Sequence, residues 1–277
     1  MAAAALLFAP AALADSGQST NWAGYAVHGT SFRQISATWQ QPSVACLRGR
    51  DTYSAYWVGL GGYNLGSQAL EQIGTEADCN VDGSRTLSAW YEMVPAASMP
   101  IAMTIAPGDR MQADVAVSGH RATLVLRDRT RHRAFRISVS AAHVDVSSAE
   151  WIVEAPSDCM SSCVTLPLAD FGAAVFSAAR AQTTGGHWGA INDPAWSATR
   201  ITLAPQALLA SGHASRSGAV PSSLEAGGTS FAVSFGQAAA GARVFSTRRG
   251  HRRAAGHTRA RRLTARGLVH PVRQEFR

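Results

Sequence analysis

Short β-type runs separated by turn residues fill the chain from about Ser19 to Phe235. The runs are rich in Val, Ile, Trp, Tyr and Phe, which favour a pleated and half-buried surface, and Gly, Pro, Asn and Asp lie between them. They often recur at a spacing of roughly 8–14 residues, which is typical of β-sandwiches and barrels. The clearest runs are residues 34–39, 55–60, 87–94, 112–117, 122–127, 134–140, 150–154 and 230–235. We therefore predict an all-β fold, an antiparallel sandwich of two packed sheets, in one domain at residues 19–236.

Two further segments refine this prediction. Residues 122–127 and 134–140 flank a charged turn at 128–133 and are predicted to form a hairpin. The periodicity of residues 168–181 is ambiguous, and a short helix is an alternative there. Hydrophobic residues make up 46% of the chain and charged residues only 16%, so a large core is expected.

The net charge of +7 is concentrated at the C-terminus. Residues 243–277 hold 11 arginines and one glutamate, which leaves 14 basic and 17 acidic residues in the rest of the chain. We predict that residues 237–277 form a solvated, disordered tail, because blocks of like charge repel. A nucleic-acid-binding arm is the alternative. The two aromatic residues of this segment, Phe245 and Phe276, stand far apart, so we expect no specific nucleic-acid partner.

The N-terminal residues 1–14 form a short apolar run that ends in Ala12-Leu13-Ala14, as in a truncated signal peptide. A disordered alanine-rich start is the alternative. The run is too short to span a bilayer, and no later run approaches the 18 or so apolar residues that a membrane helix needs. We expect a secreted, soluble monomer with no membrane partner.

Four cysteines agree with export, because even numbers of cysteines outside the cytosol indicate disulfides. We predict that Cys159 and Cys163 close a tight loop and that Cys46 and Cys79 close a longer one. Zinc is the competing interpretation, but it requires paired ligands such as Cys-x-x-Cys on both sides, which Cys46 and Cys79 lack. We therefore expect disulfides, no metal site and no cofactor.

Polar side chains interrupt three strand-like runs, residues 70–76, 89–94 and 149–154. A carboxylate in such a run costs free energy unless it is paired, solvated in a cleft or used in chemistry. Because alternate side chains of a strand share a face, Trp90 and Glu92 point the same way. The pattern is compatible with a polar cleft that has Trp90 on its floor and Gln72, Glu92 and Glu154 along its sides. We interpret Glu71, Glu76 and Glu150 as surface residues or as partners of arginines.

Five motifs follow one another along nearly the whole predicted domain. They are Ser19-Thr20-Asn21-Trp22-Ala23-Gly24, Trp57-Val58-Gly59-Leu60-Gly61-Gly62, Leu70-Glu71-Gln72-Ile73-Gly74, Ala89-Trp90-Tyr91-Glu92 and Ala149-Glu150-Trp151-Ile152-Val153-Glu154. In this order they resemble the motifs of the glutamic peptidases, the eqolisins. The resemblance implies a concanavalin-like β-sandwich and a catalytic pair of Gln72 and Glu154. It also implies that Trp22 and Glu92 lie in the surroundings of the active site.

The chain departs from the family pattern at two positions. Gly61 stands where fungal members carry an aspartate after Trp-Val-Gly-Ile, and an aspartate there would help to orient and charge the site. Ser88 replaces an acidic neighbour of the Ala-Trp-Tyr-Glu segment.

The resemblance predicts a secreted acid endopeptidase that acts on proteins or peptides. Glu154 would serve as general base and acid on water, and the Gln72 amide would stabilise the oxyanion. Glu92 would hold the water or raise the pKa of Glu154 by like-charge coupling, which favours an acid optimum.

Two other classes of protein remain open. One is a glycosidase that uses Glu92 and Glu154, and the other is a non-catalytic, lectin-like binding sandwich. Serine hydrolase and metallopeptidase motifs are absent from the sequence.

Overall fold

The computed structural model describes residues 14–158, 163–204 and 217–237, and these form a nearly pure β structure. Within these ranges the single helical element is a 3-10 turn at Ala226–Gly228. No helix in the same ranges is long and apolar enough to cross a membrane. The strands are β1 Asp15–Ser19, β2 Trp22–His28, β3 Phe32–Gln40, β4 Ala55–Gly61, β5 Leu70–Cys79, β6 Arg85–Val94, β7 Met99–Ile101, β8 Arg110–Ser118, β9 Arg121–Asp128, β10 Arg133–Ser140, β11 Ser148–Glu154, β12 Ser157–Asp158, β13 Val164–Thr165, β14 Ala173–Thr183, β15 Trp188–Gly189, β16 Ser197–Leu203, β17 Ser217–Pro221 and β18 Phe231–Gln237.

Sixteen strands form one hydrogen-bonded sheet, ordered β10-β9-β8-β3-β14-β18-β17-β16-β2-β11-β4-β5-β6-β7. Strand β1 pairs with β16 and β15 pairs with β14, while β12 and β13 form a separate ribbon. Among the described strands, every pairing is antiparallel except that of β1 with β16, which is parallel. The antiparallel sheet agrees with the prediction.

The sheet folds back on itself into two layers. One layer contains β10, β9, β8, β3 and β14, and the other contains β16, β2, β11, β4, β5, β6 and β7. Strands that are not hydrogen-bonded neighbours lie against each other, since β3 contacts β4, β8 contacts β5 and β14 contacts β11. The sandwich prediction is therefore confirmed.

Buried aromatic residues fill the space between the layers and also link them by hydrogen bonds. Trp39 Nε1 donates to Thr75 Oγ1 at 3.1 Å, and Trp151 Nε1 donates to the Ser36 carbonyl at 2.9 Å. These bonds satisfy indole donors that would otherwise be buried without partners. The indoles thus contribute apolar area to the core and also position β3 against β5 and β11.

The predicted strands agree with the observed ones, and the predicted hairpin is β9–β10, where Arg133 pairs with Asp128. The alternative of a short helix at residues 168–181 is wrong. That segment leads into strand β14, which pairs with β3 and with β18. Ala174 and Phe176 are buried while Ala173 and Val175 are exposed, which is the two-residue alternation of a strand.

The disulfide between Cys46 and Cys79 is present, with an S–S distance of 1.98 Å. Cys163 is also disulfide-bonded, whereas Cys159, its predicted partner, lies outside the described residues. The predicted signal-like segment 1–14 and the tail 237–277 lie outside them too, apart from Ala14 and Gln237.

A second apolar cluster lies on the face of the β2–β11–β4–β5–β6 layer that points away from the interlayer core. Its members are all buried, and they include three of the seven tryptophans of the chain. We call this surface the site face, because the polar residues singled out by the sequence lie on it. The buried members are Trp22, Ala26, Ala55, Trp57, Leu70, Trp90, Val94, Ile152 and Ile201.

Candidate active site

Strand register aligns the polar residues of the site face in rows that cross the sheet. The central row is Ala26, Glu150, Gly59, Gln72 and Glu92, on β2, β11, β4, β5 and β6 respectively. The member on β4 has no side chain. The side chains of Glu150 and Gln72 therefore project from the same face on either side of Gly59, with Trp57 and Leu70 packed over the glycine.

Gln72 is fully buried and its amide is held on one side. Its Nε2 donates to Glu92 Oε2 at 2.6 Å. Its Oε1 has no hydrogen-bond partner among the described residues. The bond to Glu92 orients the carboxamide and leaves one amide hydrogen and the carbonyl oxygen available to a ligand.

Glu150 is also fully buried, and this corrects its interpretation as a surface residue. Neither of its carboxylate oxygens has a hydrogen-bond partner within the described ranges. Burial raises the pKa of Glu150 well above its ordinary value, and the charges of Asp145 and Glu71 add to this effect, while the Ser148 hydroxyl opposes it. The surroundings therefore favour the protonated form of a carboxyl group that has no hydrogen-bond partner within the described ranges.

Glu154 has very different surroundings, although it lies on the same strand and face. Asn21 Nδ2 donates to its Oε1 at 3.0 Å, and Trp57 Nε1 donates to its Oε2 at 2.8 Å. The Trp57 ring packs edge-on against Trp22, with the ring centroids 4.9 Å apart. Glu154 thus anchors an aromatic pair.

The register separates Glu154 from Gln72. Glu154 lies in the row of Trp22, Ala55 and Glu76. Two strand spacings of about 4.8 Å put the Cα atoms of Glu150 and Gln72 about 10 Å apart. For Glu154, four residues along the strand add about 13 Å, which gives about 16 Å in total. The structure therefore brings Gln72 together with Glu92 and Glu150 but not with Glu154.

The same rows bear on the glycosidase alternative. Glu92 and Glu154 are three strands and four residues apart, which corresponds to about 19 Å between their Cα atoms. Paired glycosidase carboxyl groups lie about 5–9.5 Å apart, so this pair does not fit.

Three tryptophans lie on the site face beside these polar residues. Trp22 is fully buried, and its Nε1 has no hydrogen-bond partner in the described part of the chain. Trp90 is buried in the row of Gly74 and Trp57. A Cβ on Gly74 would lie 2.6 Å from the Trp57 Cβ, so only glycine admits Trp57 here.

Two further glutamates predicted to be exposed are buried. Glu71 is 1% exposed, and its Oε1 accepts from the backbone N–H of Asp145 at 3.4 Å. Burial and the neighbouring Asp145 charge raise the pKa of Glu71 to about 8, against the effect of that hydrogen bond. Glu76 is 8% exposed and accepts from Ser88 Oγ at 3.2 Å. The surface interpretation is therefore wrong for both residues, because other parts of the chain cover both faces of the strand that carries them.

Sequence reasoning also missed residues that act through others. Asn21 and Trp57 donate to Glu154 and lie inside the quoted motifs. An amide and an indole in those motifs were the signal that could have identified them. Asp145, which lies beside Gly61 at the end of β4, has no motif around it and gave no signal. Gly61 itself has φ +84°, in the left-handed region that favours glycine.

No group of three or more His, Cys, Asp or Glu residues in the described ranges is arranged to hold a metal ion.

The fold and the site together define a class: an all-β sandwich with a buried carboxyl group opposite a carboxamide on the outer face of one layer. The chain belongs to the Peptidase A4 family, whose model matches residues 20–223. This confirms the resemblance to glutamic peptidases.

Individual relatives support the assignment. Scytalidopepsin B of Scytalidium lignicola is 31% identical over 164 residues, which cover 56% of this chain and 60% of that protein. Aspergillopepsin-2 of Aspergillus niger is 28% identical over 191 residues, which cover 61% of this chain and 66% of that protein. The matches thus span slightly less than two thirds of either relative.

A solved structure agrees over a longer stretch. The crystal structure of scytalido-glutamic peptidase with a peptide-based transition-state analogue aligns with a TM-score of 0.61 and 25% identity. The alignment covers 78% of this chain and 98% of that one.

Proposed function

We propose that this chain is an endopeptidase of the glutamic type that hydrolyses protein substrates at acid pH. The observation that carries the proposal is the central row, in which the carboxyl group of Glu150 and the carboxamide of Gln72 lie on either side of Gly59. Membership of the Peptidase A4 family supports it, as does the peptide-based analogue bound to the structural relative.

In this proposal Glu150 replaces Glu154 as the acid and base, because Glu154 is distant from Gln72 and both of its oxygens already accept hydrogen bonds. The protonated Glu150 gives its proton to the leaving amine nitrogen while its second oxygen takes a proton from the attacking water. The C–N bond breaks, the new C–O bond forms, and the carboxyl group ends the reaction protonated. One carboxyl group thus serves both steps of the proton transfer.

Gln72 supplies the electrostatic part of catalysis. Its second amide hydrogen is aimed at the oxyanion that develops on the substrate carbonyl, and its Oε1 accepts from the water. A positioned donor of this kind contributes a factor of about 10²–10³ to the rate. Glu92 keeps the carboxamide in that orientation through the bond to Nε2.

The proposal is tested by digestion of an unfolded protein substrate from about pH 2 to 7. We expect the wild type to cleave below neutral pH and Glu150→Gln and Gln72→Ala to lose activity by at least about 10²-fold. Glu225→Gln, at an exposed site, and Gln40→Ala are the matched controls and should cleave normally.

Two outcomes would contradict the proposal. Peptide binding without cleavage by the wild type would indicate a lectin-like sandwich. Cleavage of an oligosaccharide that survives Gln72→Ala would indicate a two-carboxylate glycosidase.

We also propose that the protein is exported and acts as a monomer, with residues 19–236 as its catalytic domain. The disulfide of Cys46 with Cys79 and the bonded state of Cys163 support export, because disulfides persist in oxidising compartments. Recovery of active, thiol-free monomer from the culture medium would support this, and retention in the cytosol would contradict it.

A further inference from the structure

Asp145 lies at one end of the site face, in the loop before β11, and its carboxylate is tightly held. Its Oδ2 accepts from the Ser67 hydroxyl and from the backbone N–H of Gly62 at 3.3 Å. Its Oδ1 accepts from the backbone N–H of Ser147 at 2.8 Å. The group is therefore anchored to the loop after β4 as well as to its own loop.

These bonds keep the Asp145 carboxylate ionised. Burial disfavours its charged form, but the hydrogen bonds from Ser147, Ser67 and Gly62 outweigh burial and lower the pKa of Asp145. This negative charge lies beside Gly61, two residues along β4 from Gly59, which is the register partner of Glu150.

Asp145 also occupies the space beside Gly61. A Cβ on Gly61 would lie 2.5 Å from the Asp145 Cβ and 2.9 Å from its carboxylate carbon. Two side chains cannot share this volume. The glycine at position 61 therefore leaves room for the side chain of Asp145. A carboxylate is present at this place, and it is supplied by the loop before β11 and not by β4.

The charge lies among groups that titrate. Glu71 on β5 accepts from the Asp145 backbone, and the Asp145 charge contributes to the raised pKa values of both Glu71 and Glu150. Glu92 lies on the site face of β6, and β4 (Ala55–Gly61) carries no acidic, basic or histidine residue. His28 on β2 pairs with Ser148, and its pKa is lowered by burial.

We propose that Asp145 is a positioning residue whose fixed negative charge controls proton binding by Glu150, a task that position 61 does not perform in this chain. The inference rests on the proposed role of Glu150. Because a neighbouring negative charge stabilises the protonated carboxyl group, Asp145 extends the pH range in which Glu150 can donate a proton.

The test follows the Glu150 carboxyl group directly. In protein labelled with carbon-13 at glutamate carboxyls, Glu150→Gln identifies the Glu150 signal, and its titration midpoint is measured in wild type and Asp145→Asn. We expect Asp145→Asn to lower the midpoint by roughly one pH unit, the size of an ordinary charge effect. The alkaline limb of the pH–activity profile should move by the same amount. Asp82→Asn, at an exposed aspartate, is the matched control and should change neither value.

An unchanged Glu150 midpoint in Asp145→Asn would overturn the proposal. If that variant does not fold, Asp145→Ser, which is also neutral, is measured instead with the same two outcomes. The double variant Gly61→Asp/Asp145→Gly restores a carboxylate at this place, now carried by β4. We expect the titration midpoint of Glu150 in the double variant to lie above that in Asp145→Gly. Absence of proteolysis by the wild type at every pH would defeat the proposed function alone, because the carboxyl titration still decides the role of Asp145.

Discussion

Glu150 and Glu154 lie four residues apart on one strand and share a face, yet the protein treats them differently. Donors on Asn21 and Trp57 satisfy Glu154. The Ser148 hydroxyl favours the charged form of Glu150, but burial outweighs this effect and raises the pKa of Glu150. A carboxylate that is fully hydrogen-bonded is suited to hold a structure, whereas an unsatisfied and protonated one is suited to move protons. The different roles of these two glutamates therefore follow from the groups that surround them.

Replacement of Glu154 by Gln should reduce stability. The glutamine can accept only one of the two hydrogen bonds, and its NH2 group would face the donor of either Trp57 or Asn21. We expect a loss of about 1–3 kcal/mol in the free energy of unfolding, measured by urea titration. Glu225→Gln should change that free energy by less than about 0.5 kcal/mol. Equal stability of the two variants would contradict the anchoring role of Glu154.

Strand order explains which parts of the site could be predicted from the sequence. Alternation within a strand correctly placed Trp90 and Glu92 on a common face. It could not show that β4 lies between β11 and β5, because that neighbourhood depends on the long-range topology. The position of Gly59 between Glu150 and Gln72 follows only from that order. The motif resemblance supplied the family, but the choice between two glutamates required the register.

Gly59→Ala tests whether the packing around Gly59 positions Glu150 and Gln72 in the central row. The new Cβ would lie 2.9 Å from Leu70 Cδ1, 3.0 Å from Trp57 Cζ3 and 3.2 Å from Gln72 Cβ. These contacts would displace the cleft side chains slightly. Since a misplacement of about 1 Å can cost about 10²-fold in rate, we expect kcat/KM to fall about 10- to 100-fold while the variant still folds.

Gly236→Ala is the matched control, because no atom lies within 4 Å of a Cβ at that position. Equal peptidase activity of Gly59→Ala and Gly236→Ala would contradict the account of the central row.

The whole molecule buries several acidic groups between and around its two layers, and this burial decides how stability depends on pH. From the sequence, the all-β sandwich, the hairpin β9–β10 and the disulfide of Cys46 with Cys79 could be predicted. The burial of Glu71, Glu76 and Glu150 could not, because a strand pattern does not reveal what covers its second face. Because burial raises the pKa values of Glu71 and Glu150, the folded protein binds protons at pH values at which exposed glutamates would release them.

This proton binding predicts that Glu71 weakens the fold as the pH rises. Its pKa is raised from 4.5 to about 8, so the folded state binds more protons than the unfolded state between these values. The contribution is fully present below pH 4.5 and is lost as the pH rises towards about 8.

As the pH rises from 4.5 to 8, we expect the Tm of Glu71→Gln to increase relative to the Tm of the wild type. Thermal unfolding monitored by circular dichroism at several pH values measures it. A difference that does not depend on pH would show that Glu71 titrates normally.

The central claim is that Glu150 rather than Glu154 is the partner of Gln72, and the most direct test compares the two glutamine variants on one peptide substrate. We predict that kcat/KM at the acid optimum falls by at least about 10²-fold in Glu150→Gln, the order of a lost general acid–base group. In Glu154→Gln, assayed below its unfolding temperature, the fall should be smaller by at least about tenfold, since that change acts through Trp57 and Asn21. A larger loss in Glu154→Gln than in Glu150→Gln would contradict the account.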